Sequence, residues 1–396
     1  MPLRCAALLV CALIGCGGRA QPVLRPGGPS TAPAADLDNA RPTQPSPVRE
    51  DGERPGSAAA PHDPRVIDLD TIRIQVVGRT PTGAPELSAV ATADLFSEAS
   101  AAWKNGQGDL AIGLFRRLVS DFPDSTYAPL SLYNIAAIYD RRGDPSATIS
   151  VLRELIASYP TSRKSVEAHL YLAAMFAERR QFADSLVTLD QALARQNLTF
   201  ADRVEGGARK GYVLLELGRL EEAEAALALA VSHWRQAPHL EDAYFIAMAQ
   251  YYRAEVLHRR FLAAKVELPD DNLGKSLAAK EALAVAAYDQ WRTALGHRHA
   301  YWATAAGYQM SQIFVELWEA TVRAPFPTAM SAEARPLYVA EVRSRVRSHL
   351  QKALEGHRMN LELAKAYGVT TPWSDGSKMQ VLQIQEILGK ESQARQ

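Results

Sequence analysis

The chain has 396 residues, 47% of them hydrophobic, which is enough for two or three domains or one long repeat array with a substantial core. Lys plus Arg and Asp plus Glu stand at 44 each, so the positive excess of a dedicated nucleic-acid binder is missing. The three cysteines are Cys5, Cys11 and Cys16, and a chain without any beyond them has no disulfide framework, thiolate zinc site, iron–sulfur cluster or cysteine nucleophile.

Met1-Pro2-Leu3-Arg4 is a short positive segment, and the apolar run that follows from Cys5 to Ile14 is half the roughly twenty residues a bilayer span needs. Its length suits a signal-peptide core. Leu13-Ile14-Gly15-Cys16 resembles the bacterial lipobox. That resemblance implies cleavage after residue 15 and a lipidated Cys16, anchored by acyl chains at ~0.8 kcal/mol per buried methylene. Gly17, in place of Asp, implies the outer membrane by the rule for Gram-negative lipoproteins.

Residues 17–65 contain ten prolines among Gly, Ser, Ala and balanced charge. Such a segment buries too little apolar area to offset its ordering entropy, and reads as a disordered tether with a reach of roughly 40 Å. Residues 66–77 (VIDLDTIRIQVV) are β-branched with partial alternation, which predicts one strand-like arm within 66–93. No second strand is evident. The arm is expected to lie along its own protein or to complete a partner's sheet. Pro81, Gly83 and Pro85 interrupt the chain before the helices.

From Asp94 a period appears. Helical stretches end at Asn105-Gly106, Arg142-Gly143, Arg180-Gln181 and Leu217-Gly218. Five residues after each turn position stands a small side chain: Ala111, Thr148, Ser185, Ala223. Four further on a large one follows (Phe115, Leu152, Leu189, Leu227), and three beyond that Leu118, Leu155, Ala192 and Ala230. Seven before the turns are Ala99, Ala136, Ala173 and Gly211. This is the pattern of helical hairpins that cross closely at small residues and fill the grooves between neighbours with large ones. It resembles the tetratricopeptide repeat. The phrases FPDSTYAPLSLYNIAAIYDRRGD and YPTSRKSVEAHLYLAAMFAERRQ resemble repeats of bacterial envelope lipoproteins that serve outer-membrane β-barrel assembly and the coordination of constriction in division.

Four such units are expected over 94–235, followed by divergent hairpins and a cap over 236–396. Helices are predicted over 241–264, 276–295, 302–322, 338–367 and 374–388. In segment order this half resembles tetratricopeptide lipoproteins of gliding δ-proteobacteria, including those of the adventurous gliding-motility machinery. The fold class expected is therefore all-α, a tetratricopeptide-type α-solenoid behind a disordered tether and one short arm.

Catalytic motifs are weak. Gly106-Gln107-Gly108 and Ala111 fit a dinucleotide string but occupy a repeat turn after a helix, and Gly274-Lys275-Ser276 has neither the preceding strand nor the earlier glycine of a phosphate loop. His297 and His299 offer two imidazoles without nearby carboxylates and read as solvated loop histidines. No HExxH, GxSxG or SxxK motif occurs. The expectation is a protein that is not an enzyme and takes no metal, cofactor, nucleic acid or small-molecule substrate.

Counting from the turns, the first helices of the repeats place Tyr133, Asp140 and Arg141, then Glu167, Leu170 and Glu178, then Tyr212 and Glu216 on the face that lines the concave side of such arrays. Carboxylates, an Arg and two Tyr there would suit a partly basic, partly apolar peptide. Tyr251, Tyr252 and Arg253 form a further cluster. With the resemblances, this implies a lipid-anchored scaffold on the periplasmic face of the outer membrane, binding envelope proteins such as β-barrel or motility components. The motility machine is the leading expectation, with barrel assembly or division coordination as the alternative, and a cell-wall-active enzyme a distant third.

Overall fold

A computed structural model describes residues 72–237, 240 and 242–393. The signal segment, Cys16 and the proline-rich stretch lie outside the described residues. What is described falls into two compact units, one ending at Phe176 and one beginning at Ala177.

The arm is not a lone strand. β1 (Ile72–Arg79) pairs antiparallel with β2 (Pro85–Ala91), Ile74 opposite Ala89 and Gln75 opposite Ser88, with a bulge between Val76 and Gly78. The expected break is the hairpin's turn. Gly83 takes φ +82°, its N–H donates to the Thr80 carbonyl at 2.8 Å, and the Thr80 N–H donates to the Ala84 carbonyl at 2.8 Å. PELSAVA carries little strand signal in the sequence, because it opens on Pro and holds one β-branched residue. A proline is tolerated at a strand's first position, and pairing within the hairpin outweighs weak intrinsic propensity.

In the first unit β2 leads into α1 (Thr92–Lys104), α2 (Gly108–Asp121), α3 (Tyr127–Arg141) and α4 (Pro145–Ser158), and into α5 (Arg163–Glu178) up to the boundary. The first two hairpins are α1 with α2 and α3 with α4, and α1 also touches α3. The small and large repeat positions make the core: Ala99, Ala111, Phe115, Leu118, Ala136, Thr148, Leu152 and Leu155 are all 0% exposed. Close-packed interiors have no slack at such positions, so each small residue sets how near two helices approach.

The second unit holds α6 (Phe182–Leu193), α7 (Phe200–Glu216), α8 (Leu220–Gln236), α9 (Tyr244–Ala263), α10 (Asp270–Gly296), α11 (Ala300–Val322), α12 (Arg335–Ala366) and α13 (Pro372–Gln393). Helix α7 packs on α8, α9 on α10 and α11 on α12, while α7 touches α9, α9 touches α11 and α11 touches α13. Within this unit the hairpin stack thus runs unbroken to the last helix. At Gly211 of α7 a Cβ would run into the Leu227 side chain of α8, which is why the small position of this repeat has shrunk to glycine.

The periodic turns share one backbone form. Gly106, Gly143 and Gly218 have φ between +73° and +76°, and Arg180 takes φ +60° in the equivalent place. At the three glycines the next N–H reaches five residues back, as Gln107 to the Ala102 carbonyl, Asp144 to Tyr139 and Arg219 to Leu214, at 2.9 to 3.0 Å. Together with the glycine N–H bonds to Trp103, Asp140 and Leu215, this closes each helix with the paired bonds of a left-handed C-terminal cap. Asp144 then caps α4, accepting from the Ala147 N–H at 3.0 Å, and Thr199 with Asp202 forms a reciprocal capping box on α7.

Helix lengths differ modestly from expectation. α10 starts at Asp270, so Gly274-Lys275-Ser276 lies inside the helix, with the Ser276 hydroxyl accepting from the Glu267 N–H at 3.1 Å. That hydroxyl is engaged in joining the preceding loop to the helix.

Candidate protein-interaction faces

In the first unit the predicted face residues are brought together on α3 and α5. Tyr133 is 5% exposed, with its ring centroid 6.1 Å from that of Tyr171 and the Lys164 ammonium 4.8 Å above it. The Tyr171 hydroxyl donates to Asp140 at 2.6 Å. Glu167 accepts from Lys164 at 2.6 Å. Leu170 is 4% exposed. Arg141 is exposed and lies with its guanidinium 5.1 Å from the Trp103 ring centroid. Tyr133 and Leu170 therefore differ from the expectation of presented side chains, since a residue exposed by a twentieth has almost no surface to offer. They hold the face; Asp140, Arg141 and Glu167 form its accessible part. Sequence counting missed Tyr171 and Trp103, which carry the hydrogen bond and the cation–π contact that fix Asp140 and Arg141.

In the second unit Tyr212 is 4% exposed and also a packing residue, between Phe182 at 6.1 Å and Tyr252 at 4.9 Å. Burial, then the nearby Glu216 carboxylate, pushes its hydroxyl far above the usual tyrosine range. Glu178 is exposed. Glu216 accepts from Arg259 at 3.1 Å, Arg259 also reaches Glu255 at 3.3 Å, and His258 bridges Glu255 at 3.3 Å and Glu316 at 2.6 Å. Burial disfavours a charged imidazole here, but Glu255 and Glu316 outweigh it and raise His258 to about 10. His258 is thus a fixed cation that ties α9 to α11, and the wrong group for a general base near neutrality.

Tyr251 and Tyr252 are each 1% exposed. They belong to an aromatic assembly centred on Trp302, whose ring lies 5.0 Å from Tyr301, 5.3 Å from Tyr251, 5.5 Å from Tyr244 and 5.7 Å from Tyr252. Arg253 donates to Glu224 at 2.8 Å. His297 and His299 are half-buried, not solvated. They sit edge-on to Trp234 at 6.3 Å and Tyr244 at 5.0 Å, and burial lowers both pKa values. The loop composition concealed this, because the rings they meet come from α8 and α9.

One trio has the residue types of a nucleophile, a base and an orienting amide. Ser377 lies 3.2 Å from His357 Nδ1 and accepts from Asn360 at 3.0 Å. Ser377 and His357 are 0% exposed and Asn360 2%, so no substrate reaches them. Burial lowers His357 to about 4, which keeps it neutral as a packing group between α12 and α13. Among the described residues no three His, Cys, Asp or Glu side chains are grouped to hold a metal ion, and no helix is long and apolar enough to cross a membrane.

These are the features of a repeat protein whose helices stack to present a shaped surface. Residues 86–243 match the family model of the tetratricopeptide repeat-like domain. The chain is also similar to solved structures of tetratricopeptide proteins. One is the C-terminal part of a repeat-containing protein from Cytophaga hutchinsonii, at 12% identity over 73% of this chain and 95% of that one, TM-score 0.40. Another, from Parabacteroides merdae, is 9% identical over 74% of this chain and 98% of that one, TM-score 0.36. No curated protein matches the chain. The fold is a tetratricopeptide-type α-solenoid, a scaffold whose common use is to bind proteins.

Proposed function

We propose that this protein is a lipid-anchored, non-enzymatic scaffold on the periplasmic face of the outer membrane, where it holds protein partners of an envelope machine, foremost that of gliding motility. The observation that carries the reading is the array itself: stacked first helices that carry partly or fully exposed polar side chains, Asp140, Arg141 and Glu167 in one unit, fixed by Tyr171, Trp103 and Lys164, and Glu178 and Glu216 in the other, the latter bonded to Arg259. A preformed surface loses little conformational freedom on binding, and a tether from an acylated Cys16 raises the local concentration of whatever it meets.

Pull-down from detergent-solubilised membranes tests it, comparing wild type with Arg141→Glu plus Glu167→Lys. Loss of a partner recovered by wild type is expected, and unchanged recovery sinks the assignment of that face. Cys16→Ser should release the protein from the membrane fraction. The resemblance of the first repeats to barrel-assembly and division lipoproteins supports a second reading. A deletion strain separates the two, since depleted barrel proteins or chained cells favour that reading and lost single-cell movement in otherwise normal cells favours motility.

A further inference from the structure

Helix α13 packs on α11 and α12, burying Trp373, Ser374, Ser377 and Ile384. The earlier first helices α7, α9 and α11 each have a second helix packed on them, α8, α10 and α12. Among the described residues no helix follows α13, and its opposite face is open to solvent. Two large apolar side chains stand there, Met379 at 59% and Leu382 at 65% exposed. Asp375, Met379, Leu382, Glu386 and Gly389 are all exposed and follow one another at spacings of four, three, four and three, which lines them up as one strip along the helix. Two ion pairs within the helix flank the apolar centre, Lys378 with Asp375 at 3.0 Å and Lys390 with Glu386 at 2.6 Å, all four side chains more than half exposed.

The two acidic and two basic side chains balance, so the strip offers no field to an anionic membrane or a nucleic acid. Their order decides what fits. From residue 375 to 390 it runs acidic, basic, apolar, apolar, acidic, basic. Turned end over end about Leu382, each residue meets the one equally far along on the other side. Lys378 then meets Glu386, Met379 meets the aliphatic stem of Gln385, and Asp375 meets Gly389, beside which there is open space. Laid parallel, the same helix stacks Lys378 on Lys378 and Glu386 on Glu386, which repel. A partner with the complementary order is therefore at hand in a second copy of the chain, related by a two-fold axis as in an isologous dimer.

We propose that the open face of α13 is a self-association surface, pairing antiparallel with α13 of a second copy, with Leu382 on Leu382 at the axis and Lys378 on Glu386 to either side. Each cross pair joins two in-helix pairs into an alternating chain of four charges. This face shares no residue with those proposed to bind envelope partners, so its test stands apart from theirs. A strip of this length is about 22 Å at 1.5 Å per residue. So short a contact is smaller than the roughly 1,200 Å² of stable complexes, which sets the expected dissociation constant on the order of 10–100 μM.

Sedimentation velocity of the full chain over roughly 2–200 μM tests it, with dimer expected to appear across that range. Leu382→Glu sets two carboxylates against each other at the axis and should weaken association about tenfold or more. Lys378→Glu and Glu386→Lys, made separately, each turn both cross pairs into like charges and should weaken it about tenfold. All three changes fall on exposed side chains and leave the packing of α13 on α11 and α12 alone. An equimolar mixture of the two charge variants should associate about as well as wild type, because each then offers the charge that the other lacks. A chain that stays monomeric throughout overturns the proposal. Dimers indifferent to Leu382→Glu form through another face and overturn it too. A mixture no better than either charge variant alone overturns the antiparallel pairing, and with it the proposal.

Discussion

The hairpins of residues 92–158 and the longer ones of residues 244–393 stack helices in the same way but fill the space between them differently. In the former, helices of 13 to 15 residues meet at alanines and the gaps take Phe115, Leu132, Ile135, Leu152 and Leu155. The cross-helix ion pair Arg116–Glu154 there is well exposed on both side chains, at 40% and 38%. In the latter, helices of 20 to 32 residues meet over a longer interface, and its largest fully buried side chains are Trp291 and Trp302. Charge is buried there too, in the His258 bridge. The short hairpins close on small residues with aliphatic and phenyl side chains in the gaps, whereas the longer ones add buried indole rings and a buried ion pair.

The largest effect expected from this contrast is at Trp302. Its indole touches four tyrosines and is 0% exposed, so Trp302→Ala opens a cavity that α9 and α11 cannot collapse around. A loss of about 3–5 kcal/mol is expected by chemical denaturation. Proteolysis should then start within 177–393 and leave 92–176 protected. Simultaneous loss of both regions would show that the two fold as one cooperative whole.

The His258 bridge gives the contrast a pH dependence. The folded pKa is raised to about 10 from the ordinary 6.5, so the stabilisation is complete below pH 6.5 and is lost as pH rises through 10. The groups that face the imidazole are Glu255, Glu316 and the Trp291 and Phe261 rings, with Arg259 beside Glu255. Melting temperature should fall between pH 6.5 and 10 in wild type and vary much less in His258→Gln, which is less stable at neutral pH because Glu255 and Glu316 lose their buried cation. The equal slope in both proteins would remove the bridge from the account.

In the unit ending at Phe176 the corresponding polar contact is smaller. Tyr171→Phe removes the hydroxyl that holds Asp140, at 2.6 Å and half-exposed on the acceptor side, and should cost about 1 kcal/mol. If the accessible face binds a partner, the same change also weakens that binding by freeing Asp140.

The hairpin repeat was legible because small, large and turn positions recur at fixed offsets, and steric exclusion makes those positions intolerant: Ala99, Phe115, Ala136, Leu152, Ala173, Leu189 and Leu227 are all 0% exposed. Three things were hidden. β2 has poor strand propensity and exists through pairing with β1. Tyr133 and Tyr212 stand at face positions, yet neighbouring first helices close over them, and no pattern within one helix reports what the next one covers. The His258 bridge joins Glu255 on its own helix to Glu316 on α11, 58 positions away, so half of it is invisible to local spacing.

The smallest effect tests the turns. Gly106, Gly143 and Gly218 occupy the left-handed region without a Cβ, whereas Arg180 does so at φ +60° with one. For an L-residue that conformation costs about 1–2 kcal/mol, and glycine returns part of it as unfolded-state entropy. Arg180 has a compensating contact, its guanidinium 5.6 Å from the Phe182 ring centroid. Arg180→Gly should therefore raise stability by only about 0.5 kcal/mol, while Gly143→Ala, with open space around the added methyl and the same backbone penalty, should lower it by about 1 kcal/mol. Equal and opposite changes would mean that the Arg180–Phe182 contact contributes nothing. A loss on Arg180→Gly would mean that the contact outweighs the strain, and that the third repeat keeps arginine at its turn for the ring it covers.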